Sequence, residues 1–224
     1  MNFFRVGVQD SNCLTSSSLI SGNGGVIKVG NTGVKLEIPP NAFENDEEEH
    51  EIQIRILPCH IFDGDAECFE DHSTTMVEIL PNNLRLKKFA KLTLPHCLIV
   101  KDGKRCKAQV FQSHHTEGEK PRWEDFSESA NPIVSGALCK ILLNKFCWVK
   151  FNIPGEDVIG KMLFVYIAGE KVERDADFIT TLVGCFPALP GYKRVNATQE
   201  DFKKAGGKRV SSPLKESYKQ LRTY

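Results

Sequence analysis

No apolar run in this 224-residue chain approaches the ~20 residues that a membrane-spanning helix needs, so no such segment is expected. The first residues also lack the basic-then-apolar pattern of a secretory signal. The expectation is a cytoplasmic chain, or the intracellular part of a longer multidomain protein. Net charge is absent as well. The 29 basic and 29 acidic residues cancel, which removes the whole-chain basic signature of nucleic-acid binding. No complete Gly-x-x-x-x-Gly-Lys-Ser/Thr phosphate loop, Gly-x-Ser-x-Gly elbow or kinase signature occurs, so no cofactor and none of the common catalytic machineries is expected. Strands nowhere alternate with long helices, which disfavours a doubly wound nucleotide-binding fold.

What is present is a succession of strand patterns punctuated by turns. The most informative stretch is Gly24 to Phe43. Val34, Leu36 and Ile38 alternate with Lys35 and Glu37, the period-2 pattern of a strand with one buried face, and Gly30 to Gly33 supply a hairpin turn. Pro39 and Pro40 end the strand, because proline has no amide hydrogen for the ladder. Further strands are expected at Glu51–Ile56, Met76–Leu80, the stretch ending Leu92-Thr93-Leu94-Pro95, Ala108–Gln112, Ala137–Leu143 and Phe146–Phe151. Residues 113–132 read as a long loop or irregular hairpin around Trp123. This rhythm predicts an antiparallel β-sandwich over residues 22–152, after an N-terminal segment 1–21. Past a seam at Asn152–Asp157, Lys161–Ala168 and Phe178–Phe186 predict a partial second β segment within 153–192.

Residues 193–224 form a basic tail. Two short C-terminal helices are expected there, one opening at the capping box Thr198–Asp201 and ending at Gly206-Gly207, the other running from Ser212-Pro213 through Leu221. The tail holds nine bases against three acids, whereas residues 44–73 hold eleven acids against one arginine. The tail is therefore expected to meet that acidic segment or an acidic partner, with Lys203, Lys204, Lys208 and Arg209 as interaction candidates.

Two motifs carry a resemblance. The run from Gly24-Gly25 through Gly33-Val34-Lys35-Leu36-Glu37-Ile38-Pro39-Pro40-Asn41-Ala42, and the later Leu94-Pro95-His96-Cys97, resemble the ZU-five domain of zonula occludens proteins, uncoordinated-five netrin receptors, ankyrins and the death-domain protein PIDD. Three positions depart from the pattern: Asn41 in place of glycine, Leu86 in place of an aromatic, and Phe89-Ala90 in place of Pro-Val. Asparagine tolerates a left-handed turn nearly as well as glycine, so the first change is mild. The resemblance implies a non-enzymatic protein–protein interaction module, scaffolding or autoinhibitory, in netrin-receptor-like or death-domain-type signalling such as apoptosis. It implies docking onto a UPA domain or a death domain, and the 153–192 segment resembles the start of a UPA domain. An ankyrin-like adaptor that binds spectrin in the cytoskeleton is the alternative.

Chemistry-bearing residues are few. Asp63-Gly64-Asp65-Ala66-Glu67 opens like a calcium loop, but Cys68 and Thr74 stand where glycine and glutamate are needed, so a solvated loop is expected. His114-His115 and His96-Cys97 lack the spacing of a zinc site, and no metal is expected. The eight cysteines (13, 59, 68, 97, 106, 139, 147 and 185) are expected to be free thiols, several of them small hydrophobes within strands. Asn196-Ala197-Thr198 is a formal glycosylation sequon and is expected to be a chance match.

One further alternative comes from the resemblance. PIDD and the related FIIND domain cut their own backbone at a Phe-Ser step in the last strand, and the matching place here reads Lys145-Phe146-Cys147-Trp148. Cys147 is a competent nucleophile as a thiolate. Lys145 falls in an edge-like pattern and stands where a histidine would serve as base, so the expectation is that no cleavage occurs and that no residue is catalytic.

Overall fold

A computed structural model describes residues 14–45, 47–57, 73–101, 106–115, 121–169, 181–190 and 217–222. Strands dominate, in three antiparallel sheets. The first sheet has six strands in the order β1 (Thr15–Ile20), β4 (His50–Leu57), β5 (Met76–Leu80), β12 (Trp148–Asn152), β8 (Gln109–Ser113), β9 (Glu124–Asp125). The second has five, in the order β10 (Ile133–Ser135), β11 (Leu138–Lys145), β6 (Arg85–Pro95), β3 (Lys35–Ile38), β2 (Gly25–Lys28). β1 belongs to the sandwich, although it lies in the segment 1–21 that the sequence pattern sets apart from it. The one α-helix among the described residues is a single turn, α1 (Ser127–Ala130), which with β9 occupies the stretch that reads as an irregular hairpin.

Alternation makes these two sheets a sandwich. Ile52, Ile54 and Ile56 on β4 and Val77 and Ile79 on β5 point one way, and Leu92 and Leu94 on β6 with Ile141 and Leu143 on β11 point the other. All join one buried core. Aligned sheets of this kind bury their facing rows in a layer ~10 Å thick. The opening hairpin is as expected: β2 pairs with β3 from Gly25↔Ile38 to Lys28↔Lys35. Its turn is held by the Thr32 hydroxyl, which donates to the Val29 carbonyl and accepts the Val34 amide. After Pro39-Pro40, Asn41 takes φ +56° and its amide bonds the Gly22 carbonyl at 2.7 Å. Asparagine thus fills the left-handed position that glycine fills in the resembled motif.

The third sheet is built on β13 (Val158–Gly169). Its first residues pair with β7 (Leu98–Val100), and its later ones lie between β14 (Thr181–Pro187) and β15 (Ser217–Arg222). This is the partial second β segment. β15 corrects one expectation, since a strand occupies 217–222 where the sequence predicts the second short helix. A helix of that length is marginal in isolation, whereas the open edge of β13 offers a row of unpaired amides and carbonyls. The other expected helix, at 198–207, and the candidates Lys203, Lys204, Lys208 and Arg209 lie outside the described residues.

Candidate functional site

β11 and β12 belong to different sheets, so the chain must cross the core between Lys145 and Trp148. Phe146 and Cys147 make that crossing. They precede β12, which begins at Trp148, and this corrects the expectation of a strand from Phe146 to Phe151. At Lys145, β11 pairs with Arg85 of β6 on one side, while β10 on the other side reaches only Leu138–Lys140. The reason is packing. Where the chain passes from one inner face to the other, two adjacent apolar side chains can both enter the core.

Both side chains are fully buried, and the backbone around them is tightly bonded. The Phe146 amide donates to the Leu84 carbonyl at 2.9 Å, and the Phe146 carbonyl accepts the Asn83 amide at 2.8 Å. The Cys147 carbonyl accepts the Ile79 amide at 3.1 Å. The Cys147 thiol lies 3.9 Å from the Lys145 carbonyl. Burial pushes this thiol up to about 12, with only partial relief from the Lys145 charge and the Ser113 backbone. The thiolate is the attacking form, and at neutral pH it is scarcely populated here.

The structure brings a histidine to this crossing that the sequence reading missed. Trp148 pairs with Ser113, the residue before His114, and the Lys145 charge acts on the His114 ring. His114 Nδ1 is buried with no hydrogen-bond partner. Burial first, and the Lys145 charge second, hold its pKa below the usual histidine range, with Glu124 opposing. With the thiol raised to about 12 and the imidazole lowered, proton transfer from Cys147 to His114 is uphill. No local pattern in the sequence announces this pairing, because β8 and β12 meet only through the long-range register.

Two other described histidines, His115 and His96, are engaged or sealed. His115 Nδ1 is 3.0 Å from the Ser113 hydroxyl, and its ring meets Trp148 edge-on with centroids 4.4 Å apart. His96 is buried against Phe151 and its pKa is lowered by burial. Neither His96 ring nitrogen has a partner in hydrogen-bond geometry, although the backbone of Leu98 and Gly136 lies near enough to favour the protonated ring slightly. Among the described residues no group of three or more His, Cys, Asp or Glu side chains could hold a metal ion. Residues Asp63–Cys68 of the calcium-loop reading lie outside the described residues. Cys97, Cys106, Cys139 and Cys147 are buried thiols rather than halves of disulfides. No helix among the described residues is long and apolar enough to cross a membrane.

What the described surface does offer is apolar area. Leu19, Val26, Phe89, Ile133 and Ile159 are large hydrophobics left about half exposed or more. Three of them, Val26, Phe89 and Ile133, lie on strands of the five-stranded sheet. No curated protein matches the chain. The family model of the ZU5 domain matches residues 16–114, a span that runs from β1 through β8 and stops short of the Phe146-Cys147 crossing. Both motifs lie inside that span, so residues 16–114 are a match to the ZU5 domain, which is a protein–protein interaction module.

Proposed function

We propose that this chain acts without catalysis, as a scaffolding or autoinhibitory docking module in signal transduction of the netrin-receptor or death-domain type. The observation that carries the reading is the sealed crossing at Phe146-Cys147. Self-cleavage needs a thiolate, a base that can take its proton and a strained or accessible amide. Here the thiol is buried and its pKa raised, the His114 imidazole has a lowered pKa, and the Phe146 carbonyl of the scissile amide is held by the Asn83 amide. The sandwich is left with its surfaces as working parts. A spectrin-binding adaptor would use the same surfaces and differs only in partner.

The test is direct. Purified chain held for days at neutral pH is expected to remain one species of 25.1 kDa by intact mass. Two fragments divided at residue 147, lost in Cys147→Ala, would overturn the non-catalytic reading. Pull-downs with isolated UPA, death-domain and spectrin-repeat baits then separate the signalling role from the cytoskeletal one: capture of UPA or death domain supports the proposal, and capture of spectrin repeats alone replaces it with the adaptor.

A further inference from the structure

The outer face of the five-stranded sheet is organised by register into rows. One row crosses all five strands as Ile133, Lys140, Thr93, Lys35 and Lys28. The next row reads Leu142, Lys91, Glu37 and Val26. Phe89 stands one row further along β6, on the same face by period-2 alternation with Lys91 and 49% exposed. At ~4.8 Å per strand the face is about 19 Å wide.

Two properties set this face apart. Across the two rows, four lysines face one glutamate, in a chain whose total charge is zero. The lysine row also ends on a half-exposed apolar residue, Ile133, and is bordered by Val26 and Phe89. Within it, the Thr93 hydroxyl is buried and has no hydrogen-bond partner. Glu37 is already matched by Lys35 at 2.5 Å and Lys91 at 3.3 Å. That leaves Lys28 and Lys140, both exposed and outside any ion pair of the described residues, as the cations available to a partner.

We propose that this face is a docking surface for an acidic protein segment carrying apolar anchors, with Lys28 and Lys140 meeting carboxylates and Phe89, Val26 and Ile133 meeting the anchors. The proposal rests on the docking-module reading and names the class of partner. Charge complementarity favours an acidic segment. The three apolar residues sit on three separate strands with charged side chains between them rather than in one continuous stripe, which favours a protein segment over a lipid interface. A nucleic acid is disfavoured because Glu37 lies within the patch and would oppose a phosphate backbone.

The experiment is a selection from a displayed library of random 16-residue peptides against the full chain, followed by affinity measurement of the enriched peptides. They are expected to carry aspartate or glutamate with two or more apolar residues. Their binding is expected to weaken at least about tenfold in Lys28→Glu/Lys140→Glu and in Phe89→Ser, and to weaken with added salt. Lys107→Glu, an exposed charge reversal outside this sheet, is expected to leave binding unchanged. A thermal melt of each variant confirms that it is folded; if the double variant is not, Phe89→Ser carries the test alone. Enriched peptides that ignore these substitutions overturn this face and leave the docking-module reading standing, whereas failure to enrich any peptide counts against both. Tighter binding of phosphatidylserine vesicles or of duplex DNA, lost in the same variants, replaces the acidic segment with that partner.

Discussion

Gly24 opens the motif by which this domain resembles its family, and replacing it with alanine isolates what the glycine does. It has φ +70°, and a Cβ placed there would lie 2.4 Å from the Ile38 carbonyl oxygen, 2.7 Å from the Pro39 carbonyl carbon and 2.9 Å from its oxygen. All three are backbone atoms of the strand that ends the opening hairpin, so no side chain can rotate away. Gly136, in the turn between β10 and β11, is the control: φ is +59° and nothing lies within 4 Å of an added Cβ. The left-handed backbone alone costs an L-residue about 1–2 kcal/mol, and that is the loss expected for Gly136→Ala. Gly24→Ala adds the displacement of β2 from the end of β3, and its expected loss is about 3–4 kcal/mol. Urea unfolding followed by tryptophan fluorescence reads both variants, because Trp148 sits on β12 within the sandwich. If Gly24→Ala is no more destabilising than Gly136→Ala, the close approach is not what holds the glycine in the motif.

Iodoacetamide at pH 8 followed by peptide mass mapping should leave Cys139 and Cys147 unmodified in the native chain and label them after denaturation, since both are buried and both thiols are raised to about 12. Stability should fall on acidification below pH 6.5. The buried His96 has its pKa lowered in the fold, so the unfolded chain takes up the proton first and the native state loses ground until the folded pKa is reached; His96→Phe should flatten that part of a urea-midpoint-versus-pH curve, and an unchanged slope would refute it. Glu37, whose carboxyl is held below the usual range first by Lys35, acts in a lower window and in the same direction. Glu37→Gln should nevertheless change the unfolding free energy by less than about 1 kcal/mol, because its ion pairs lie at the surface. Phe146→Ala, which empties the core crossing, should cost about 3–5 kcal/mol in the same measurement.

The local pattern by itself determined the opening hairpin, the strand stop at Pro39-Pro40, the left-handed position of Asn41 and the mainly β character of the chain. Each depends on neighbours within a few residues: period-2 burial, a missing amide hydrogen, a tolerated positive φ. The tertiary structure decided which strands share a sheet. Ala137–Leu143 and Phe146–Phe151 look alike in the sequence, yet one stretch enters the five-stranded sheet and the other the six-stranded sheet, with Phe146 and Cys147 buried in between. It also paired Trp148 with Ser113, next to His114, aligned Lys28, Lys35 and Lys140 in one row, and made 217–222 a strand on the free edge of β13. Alternation tells a residue which face of its own strand it occupies, but the partner strand is chosen by burial and hydrogen-bond satisfaction over the whole fold.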